Sequence, residues 1–203
     1  EAIAFASPRG SAPDATHDTI AAWAAALRMA ILRVIEVSSP ERTTSGWAPA
    51  ADPEIAAALL EQARRCRALA MNRIRQAASS LGAAQYCIDE SVKYAMERKP
   101  FGKPLSSNQG IQFPLVELQT QCEMLRALIH KTAWLMDRDG AFSQSDKVSM
   151  CNYWANRLCC EAADRAMQIH GGLGYSRHKP FEHIYRHHRR YRITEGAEEI
   201  QMR

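Results

Sequence analysis

No proline interrupts the chain between Pro53 and Pro100, and this run constrains the fold more than any other feature of the sequence. Proline is tolerated in the first turn of a helix, but inside a helix it removes a hydrogen bond and clashes with the preceding turn. Asp52, directly before Pro53, is a residue type that caps helix N-termini. The run therefore predicts a long helix that begins near Pro53.

Apolar residues recur at helical spacing in three stretches of the chain. One face of the first stretch carries Ile74, Leu81, Ile88, Val92 and Ala95. Steps of three and four residues connect Leu115, Leu118, Cys122, Leu125 and Ile129, and then Val148, Cys151, Ala155, Leu158 and Ala162. Such steps are typical of the buried seam of a helical bundle, and no stretch alternates at strand period.

Short segments rich in Gly, Pro and Ser separate these stretches: KPFGKPLSSNQG, DRDGAFSQSD and HGGLGYSRHKP. A further helix is predicted to begin at Pro180 or Phe181, and another near Glu195. We therefore predict an all-α protein in which residues 53–203 form an antiparallel, up-down four-helix bundle. Residues 1–52 are predicted to be an N-terminal extension and linker, with one helix over residues 17–37.

The charge balance argues against a nucleic-acid-binding protein. With 26 basic and 22 acidic residues, the net charge of +4 suits phosphate-bearing ligands but is small for nucleic acid. The segment Arg177–Arg192 does mix basic and aromatic residues, as single-strand-binding surfaces do. Because the net charge of the whole chain is small, we expect no nucleic-acid partner.

Cysteine and histidine usage indicates a protein from a reducing compartment without a metal site. The six cysteines include no CxxC pair and mostly fall within helical patterns, so buried free thiols are expected. The histidines match no zinc-ligand spacing. Arg28 and Arg33 interrupt the most apolar window, which predicts no membrane span. No secretory signal is recognised, so a cytoplasmic, mitochondrial or peroxisomal location is expected.

Four signatures occur in one order along the chain: Arg73 opening a helix, RKPFGKPL followed by Gln109, QIHGGLGY, and EGAEEIQ near the end. With these, the sequence from about Arg73 to Arg203 resembles the C-terminal helical domain of the acyl-CoA dehydrogenase family. The resemblance implies a flavin adenine dinucleotide (FAD) enzyme that forms a double bond between the α and β carbons of an acyl-CoA thioester.

The resemblance implies that six residues contact the FAD of a neighbouring subunit: Arg98, Phe101, Gln109, Gln168, Gly171 and Gly172. An arginine fork suits a pyrophosphate, and glycine lets a ligand approach the backbone closely. A homodimer or homotetramer is therefore implied. Taken singly, Arg98 could instead be a cation at a helix C-terminus, and the two glycines could be a helix end.

Glu195 is implied to be the catalytic base, with Gly196 leaving room for substrate or flavin and Arg73 contacting acyl-CoA. A base must take a proton from the carbon next to the thioester carbonyl, which a carboxylate can do. From the residues alone, Glu195 could equally cap the last helix or form half of a salt bridge. An electron-transferring flavoprotein or a similar acceptor is the implied redox partner.

Some features depart from the family pattern. Ala197 stands where a threonine is frequent, and Glu199 stands where a glutamine is frequent. The β-barrel domain that covers the flavin in the family is not recognised in residues 1–52. Two alternatives therefore remain open: a non-catalytic oligomerisation module or truncated remnant, and a flavin oxidase or monooxygenase built on the same bundle.

Overall fold

The structure, a computed structural model, describes residues 53–203 apart from the side chains of residues 53–57 and 59. The predicted extension, linker and helix before residue 53 lie outside the described residues. The helices are α1 (Pro53–Glu97), α2 (Gln109–Asp139), α3 (Ser145–His170), α4 (Gly172–Tyr175), α5 (Phe181–Tyr191) and α6 (Glu198–Gln201). Short 3₁₀ turns occupy Pro100–Gly102, Leu105–Ser107 and Phe142–Gln144. No strand occurs in the part described, so the all-α prediction is confirmed.

The predicted apolar seams form the core of the domain. All five seam residues of α2 and all five of α3 are buried, including Leu125 at 2% exposure and Leu158 at 1%. On α1 the prediction was wrong at Val92, which is 37% exposed, whereas its neighbour Ser91 is fully buried. Both Ser91 and Val92 fit helical spacing after Ile88, and it is Ser91 that faces the core, where its hydroxyl donates to the Cys87 carbonyl oxygen at 2.6 Å.

The length of α1 also corrects the position predicted for Arg73. Arg73 does not open the helix, because α1 spans Pro53–Glu97 and Arg73 lies 20 residues after its first residue. At this position Arg73 lies beside the start of α3 rather than at a loop.

Contacts between side chains fix the direction of α1 and α3. Three contacting pairs have the same sequence offset of 76 residues: Arg73 with Ser149, Ser80 with Asn156, and Tyr94 with His170. A constant offset means that the two helices run parallel over this length. The intervening helix α2 therefore returns in the opposite direction, between two short connections.

Helix α5 runs opposite to α1 and α3. Phe181, at its start, packs on His170 at the end of α3, with 4.6 Å between ring centroids. His188, two turns later, has its Nδ1 2.8 Å from the Ser80 hydroxyl in the middle of α1. With 11 residues, α5 is much shorter than the other three core helices. It returns the chain to the level of Arg73, where the Glu195 turn lies.

Candidate functional site

Arg73 holds the backbone of Glu195. Its Nε and Nη2 atoms donate to the Glu195 carbonyl oxygen at 3.0 and 2.7 Å, and its Nη1 donates to Ser149 Oγ at 3.1 Å. Burial lowers the pKa of Arg73 from its ordinary value, and the negative charge of Glu195 opposes this effect. Three of the five guanidinium N–H donors are thus used within this chain.

The Glu195–Gly196 turn has a left-handed backbone. Glu195 has φ of 60° and Gly196 has φ of 95°, a region that side chains with a Cβ rarely adopt. A Cβ on Gly196 would lie 3.0 Å from Arg73 Nη2. Gly196 is therefore required by the close approach of Arg73.

The geometry argues against both structural roles considered for Glu195. Helix α6 begins at Glu198 with Ala197 as its N-cap residue and with no side-chain cap hydrogen bond. Within residues 53–203, Glu195 forms no ion pair, and the nearby pairs use Glu198 instead. The half-buried Glu195 is thus held through its backbone, while its carboxylate forms no hydrogen bond to the described residues.

Glu198 anchors the chain just after this turn. Its carboxylate accepts hydrogen bonds from Arg157 Nε at 3.0 Å and Nη2 at 3.2 Å, and from Arg192 Nε at 2.9 Å and Nη2 at 2.7 Å. The hydrogen bonds from Arg192 and Arg157 lower the pKa of Glu198 to about 2. Sequence reasoning missed this residue, because its partner Arg157 is 41 residues away and no local pattern marks the pair.

A chain of buried polar groups continues inward from the turn. From Gly196, each group accepts from the next: Gly196 O from Gln201 Nε2, Gln201 Oε1 from Asn152 Nδ2, Asn152 Oδ1 from Asn156 Nδ2, and Asn156 Oδ1 from Ser80 Oγ. The four side chains are at most 7% exposed. Sequence reasoning did not identify these residues either, although two asparagines four residues apart on the buried face of α3 are uncommon in a hydrophobic core.

The predicted cofactor residues lie elsewhere, where α1 and α3 end and α2 begins. Arg98, Gln109 and Gln168 are all exposed there. Phe101 has φ of 55°, and its side chain is fully exposed. A bulky residue in this backbone conformation is strained, and no packing within the described residues offsets the strain.

The glycines of this region differ in what surrounds them. A Cβ on Gly171 or Gly172 would meet no atom within 4 Å, although Gly171 has φ of 59°. A Cβ on Gly174 would lie 2.7 Å from the Met167 carbonyl oxygen. Gly174 therefore serves packing within the chain, whereas the backbone at Gly172 is open to something outside it.

Two groups of predicted residues thus occupy opposite ends of the domain. The Arg73 end contains Arg73, Glu195 and Gly196, and the Arg98 end contains Arg98, Phe101, Gln109, Gln168, Gly171 and Gly172. Arg73 and Glu97, the last residue of α1, are 24 residues apart, which corresponds to roughly 36 Å along a helix.

An open apolar groove lies between α2 and α3, away from both ends. Its lining residues are Met124, Leu125, Leu128, Met150, Tyr153 and Trp154. None of them belongs to a predicted site. Over the described residues, no helix is long and apolar enough to cross a membrane.

The chain matches known proteins over its described part. The family model "Acyl-CoA dehydrogenase, C-terminal domain" matches residues 60–203. A caffeyl-CoA reductase–Etf complex subunit of Acetobacterium woodii is 36% identical over 135 residues, which are 66% of this chain and 35% of that protein. The mitochondrial short-chain specific acyl-CoA dehydrogenase of Mus musculus is 38% identical over 133 residues, 66% of this chain and 32% of that protein.

Solved structures show the same relationship. Butyryl-CoA dehydrogenase from Megasphaera elsdenii matches with a TM-score of 0.62 and 32% identity, over 66% of this chain and 34% of that one. A glutaryl-coenzyme A dehydrogenase in complex with glutaryl-CoA matches with a TM-score of 0.63 and 33% identity, over 67% and 34%. The chain thus spans about a third of the length of the curated relatives it matches.

Proposed function

Because the chain belongs to the acyl-CoA dehydrogenase family, whose C-terminal domain it contains, we propose that it is part of a flavin-dependent enzyme that dehydrogenates an acyl-CoA thioester. One observation carries the proposal: the Glu195 carboxylate stands on a strained turn that Arg73 holds by its backbone. Strained backbone that its surroundings hold in place is typical of functional sites.

In this proposal Glu195 is the base. Its carboxylate removes a proton from the carbon next to the thioester carbonyl and becomes a carboxylic acid. When FAD is bound, it would supply the hydride acceptor for the adjacent carbon. Arg73 acts on Glu195 through the backbone, because its Nε and Nη2 both donate to the Glu195 carbonyl. Its two unused N–H donors remain available to the acyl-CoA substrate.

The Arg98 end fits part of an FAD molecule. Arg98 offers an exposed guanidinium for the pyrophosphate, and the open backbone at Gly172 admits a close ligand. Phe101 offers an exposed aromatic face that no other described residue covers. Gln109, Gln168 and Gly171 complete the proposed contacts. The residues present therefore fit the dinucleotide part of FAD.

The distance between the two ends supports an oligomer. Because Glu195 and Arg98 lie at opposite ends of one chain, each flavin would contact Glu195 of one subunit and Arg98 of its neighbour. A homodimer, alone or paired into a homotetramer, provides this arrangement twice by symmetry. Relatives named as part of an Etf complex and as an enzyme complexed with glutaryl-CoA support an electron-transferring flavoprotein as acceptor and an acyl-CoA as substrate.

Reduction of an enoyl-CoA is a second candidate. The Acetobacterium woodii relative is named a reductase, which favours the same chemistry in reverse. In that direction the Glu195 carboxylic acid would return its proton to the carbon next to the carbonyl. Comparing the initial rates of acyl-CoA oxidation and enoyl-CoA reduction distinguishes the two directions.

Mixing two inactive variants tests the shared site. Glu195→Gln removes the proposed base, and Arg98→Ala removes the proposed contact to the neighbour's FAD. In a dimer of one chain of each kind, one site has lost both residues and the other retains both. Random mixing should therefore restore about a quarter of the wild-type activity, because half of the dimers are mixed.

The activity of the mixed variants shows whether each flavin site is shared between two subunits or formed by one. Recovery of activity on mixing supports a flavin shared between subunits, while no recovery from stable mixed dimers contradicts it. Full activity of Glu195→Gln alone refutes the role of Glu195 as the base, whereas a wild-type chain without activity favours the non-catalytic module. Appreciable peroxide formation with substrate would instead favour the oxidase alternative.

A further inference from the structure

We propose that Gln201 is a positioning residue for Glu195, acting through the carbonyl of Gly196. The left-handed turn has two consecutive carbonyl groups, and a different side chain holds each one. Arg73 of α1 binds the Glu195 carbonyl, and the Gln201 amide of α6 binds the Gly196 carbonyl. This inference rests on the proposed function, in which the Glu195 carboxylate is the base.

The orientation of the Gln201 amide is fixed by its neighbours. Asn152 Nδ2 donates to Gln201 Oε1 at 2.9 Å, so the amide nitrogen must face Gly196. Asn152 is oriented in turn by Asn156, whose Nδ2 donates to Asn152 Oδ1 at 3.2 Å and to the Tyr191 carbonyl at 3.2 Å. The chain therefore has one direction, and reversing one amide would require reversing the others.

The backbone carbonyls of Tyr191 and Gly196 fix that direction, because a carbonyl oxygen only accepts, and the direction in turn sets the inner end of the chain. Ser80 has one hydroxyl proton and donates it to Asn156 Oδ1 at 2.6 Å. His188 Nδ1, 2.8 Å from the same hydroxyl oxygen, must then carry a proton and donate it to Ser80. Burial, followed by the charges of His187, Arg190 and His183, lowers the pKa of His188 to about 4. The imidazole is thus neutral near pH 7, with its proton on Nδ1.

Helix α6 does not depend on Gln201 for its attachment. Glu198 anchors it through Arg157 and Arg192, independently of the amide chain. Removing the Gln201 amide should therefore leave α6 in place and release only the Gly196 carbonyl. This separation allows a positioning role to be distinguished from a purely structural one.

The first test measures the turn itself by NMR of the labelled full chain. Backbone chemical shifts of residues 194–198 report the φ angles of Glu195 and Gly196. Gln201→Met, which has a similar volume but no donor, should lose the left-handed shifts at every pH. Gln201→Glu should lose them at pH 7, where a carboxylate faces the carbonyl, and regain them at about pH 5, where a protonated carboxyl donates to it.

The matched control is Gln119→Glu, the same charge change on α2. Gln119 is half-buried and bonds to Gln85 rather than to the turn, so residues 194–198 should keep their shifts. Between pH 7 and about 5, His188 stays neutral, because its pKa lies lower. The wild type is measured at both pH values, so that shift changes caused by the more exposed histidines can be subtracted. Unchanged shifts in Gln201→Met, or no recovery of Gln201→Glu, would overturn the inference.

The second test measures flavin reduction by acyl-CoA in the FAD-loaded protein. Gln201→Met should reduce kcat about ten-fold without changing the KM for acyl-CoA, and Gln201→Glu should regain rate at about pH 5 relative to wild type. A displaced turn with an unchanged kcat would refute the positioning role. Flavin reduction that survives Glu195→Gln would refute the proposed function instead, while the NMR test would still report whether Gln201 holds the turn.

Discussion

Replacing Glu198 with Gln should destabilise the domain, because this carboxylate forms ion pairs with two arginines at once. Glu198 is 9% exposed at its side chain, whereas Arg157 is 37% and Arg192 25% exposed. Glutamine keeps the shape but removes the charge, so it leaves two guanidinium groups facing a neutral amide. The chain offers a matched control in Glu199→Gln, since Glu199 is the exposed neighbour.

The magnitude follows from the pKa of Glu198, which falls from 4.5 to about 2. At about 1.36 kcal/mol per pH unit, this difference corresponds to about 3 kcal/mol. Solvent screening of the half-exposed arginines reduces the expected contribution to about 2 kcal/mol. Because the folded pKa is the lower one, the contribution is complete above pH 4.5 and is lost as the pH falls toward 2.

Urea denaturation followed by circular dichroism measures this effect. At pH 7, Glu198→Gln should lower the free energy of unfolding by about 2 kcal/mol, and Glu199→Gln should change it by less than about 0.5 kcal/mol. The difference in the free energy of unfolding between wild type and Glu198→Gln should decrease by roughly half between pH 5 and 3. A gap below 0.5 kcal/mol at pH 7, or one that does not vary with pH, would refute the reasoning.

Two further predictions concern packing and thiol reactivity. Gly174→Ala should destabilise the fold by about 1–3 kcal/mol, since its Cβ would lie 2.7 Å from the Met167 carbonyl oxygen, whereas Gly172→Ala should preserve the melting temperature and weaken FAD uptake. Equal effects of these two variants on stability would contradict this account. Of the six cysteines, only Cys66 is not buried, so a thiol reagent should label one thiol rapidly in the folded chain and six in denaturant. Rapid native labelling of more than one thiol would show that the core is more open than described.

Local sequence patterns predicted the helices well. Leu118 and Cys122, on one face of α2, are 2% and 0% exposed, as steps of three and four residues predict. The predicted burial of Val92 was wrong because both Ser91 and Val92 fit helical spacing after Ile88. Hydrophobicity alone favoured Val92 over Ser91. Burial of Ser91 instead depends on its hydroxyl, which donates to the Cys87 carbonyl at 2.6 Å.

The candidate site was predicted less completely. Glu195 and Arg73 were both identified through the family resemblance, but their contact joins residues 122 positions apart, and no local pattern indicates that Arg73 binds a backbone carbonyl. For the same reason, Glu198 could not be distinguished from Glu199 before their partners were known. The family resemblance therefore supplied the proposed base, while only the fold showed which side chain holds its backbone.

The most direct test of the central claim is anaerobic bleaching of the flavin absorbance in the FAD-loaded protein by an acyl-CoA such as octanoyl-CoA. Wild type should bleach, and Glu195→Gln should bind FAD and acyl-CoA normally but bleach at least about 100-fold more slowly, as expected for loss of a general base. Bleaching of Glu195→Gln within a few-fold of the wild-type rate would show that another group removes the proton.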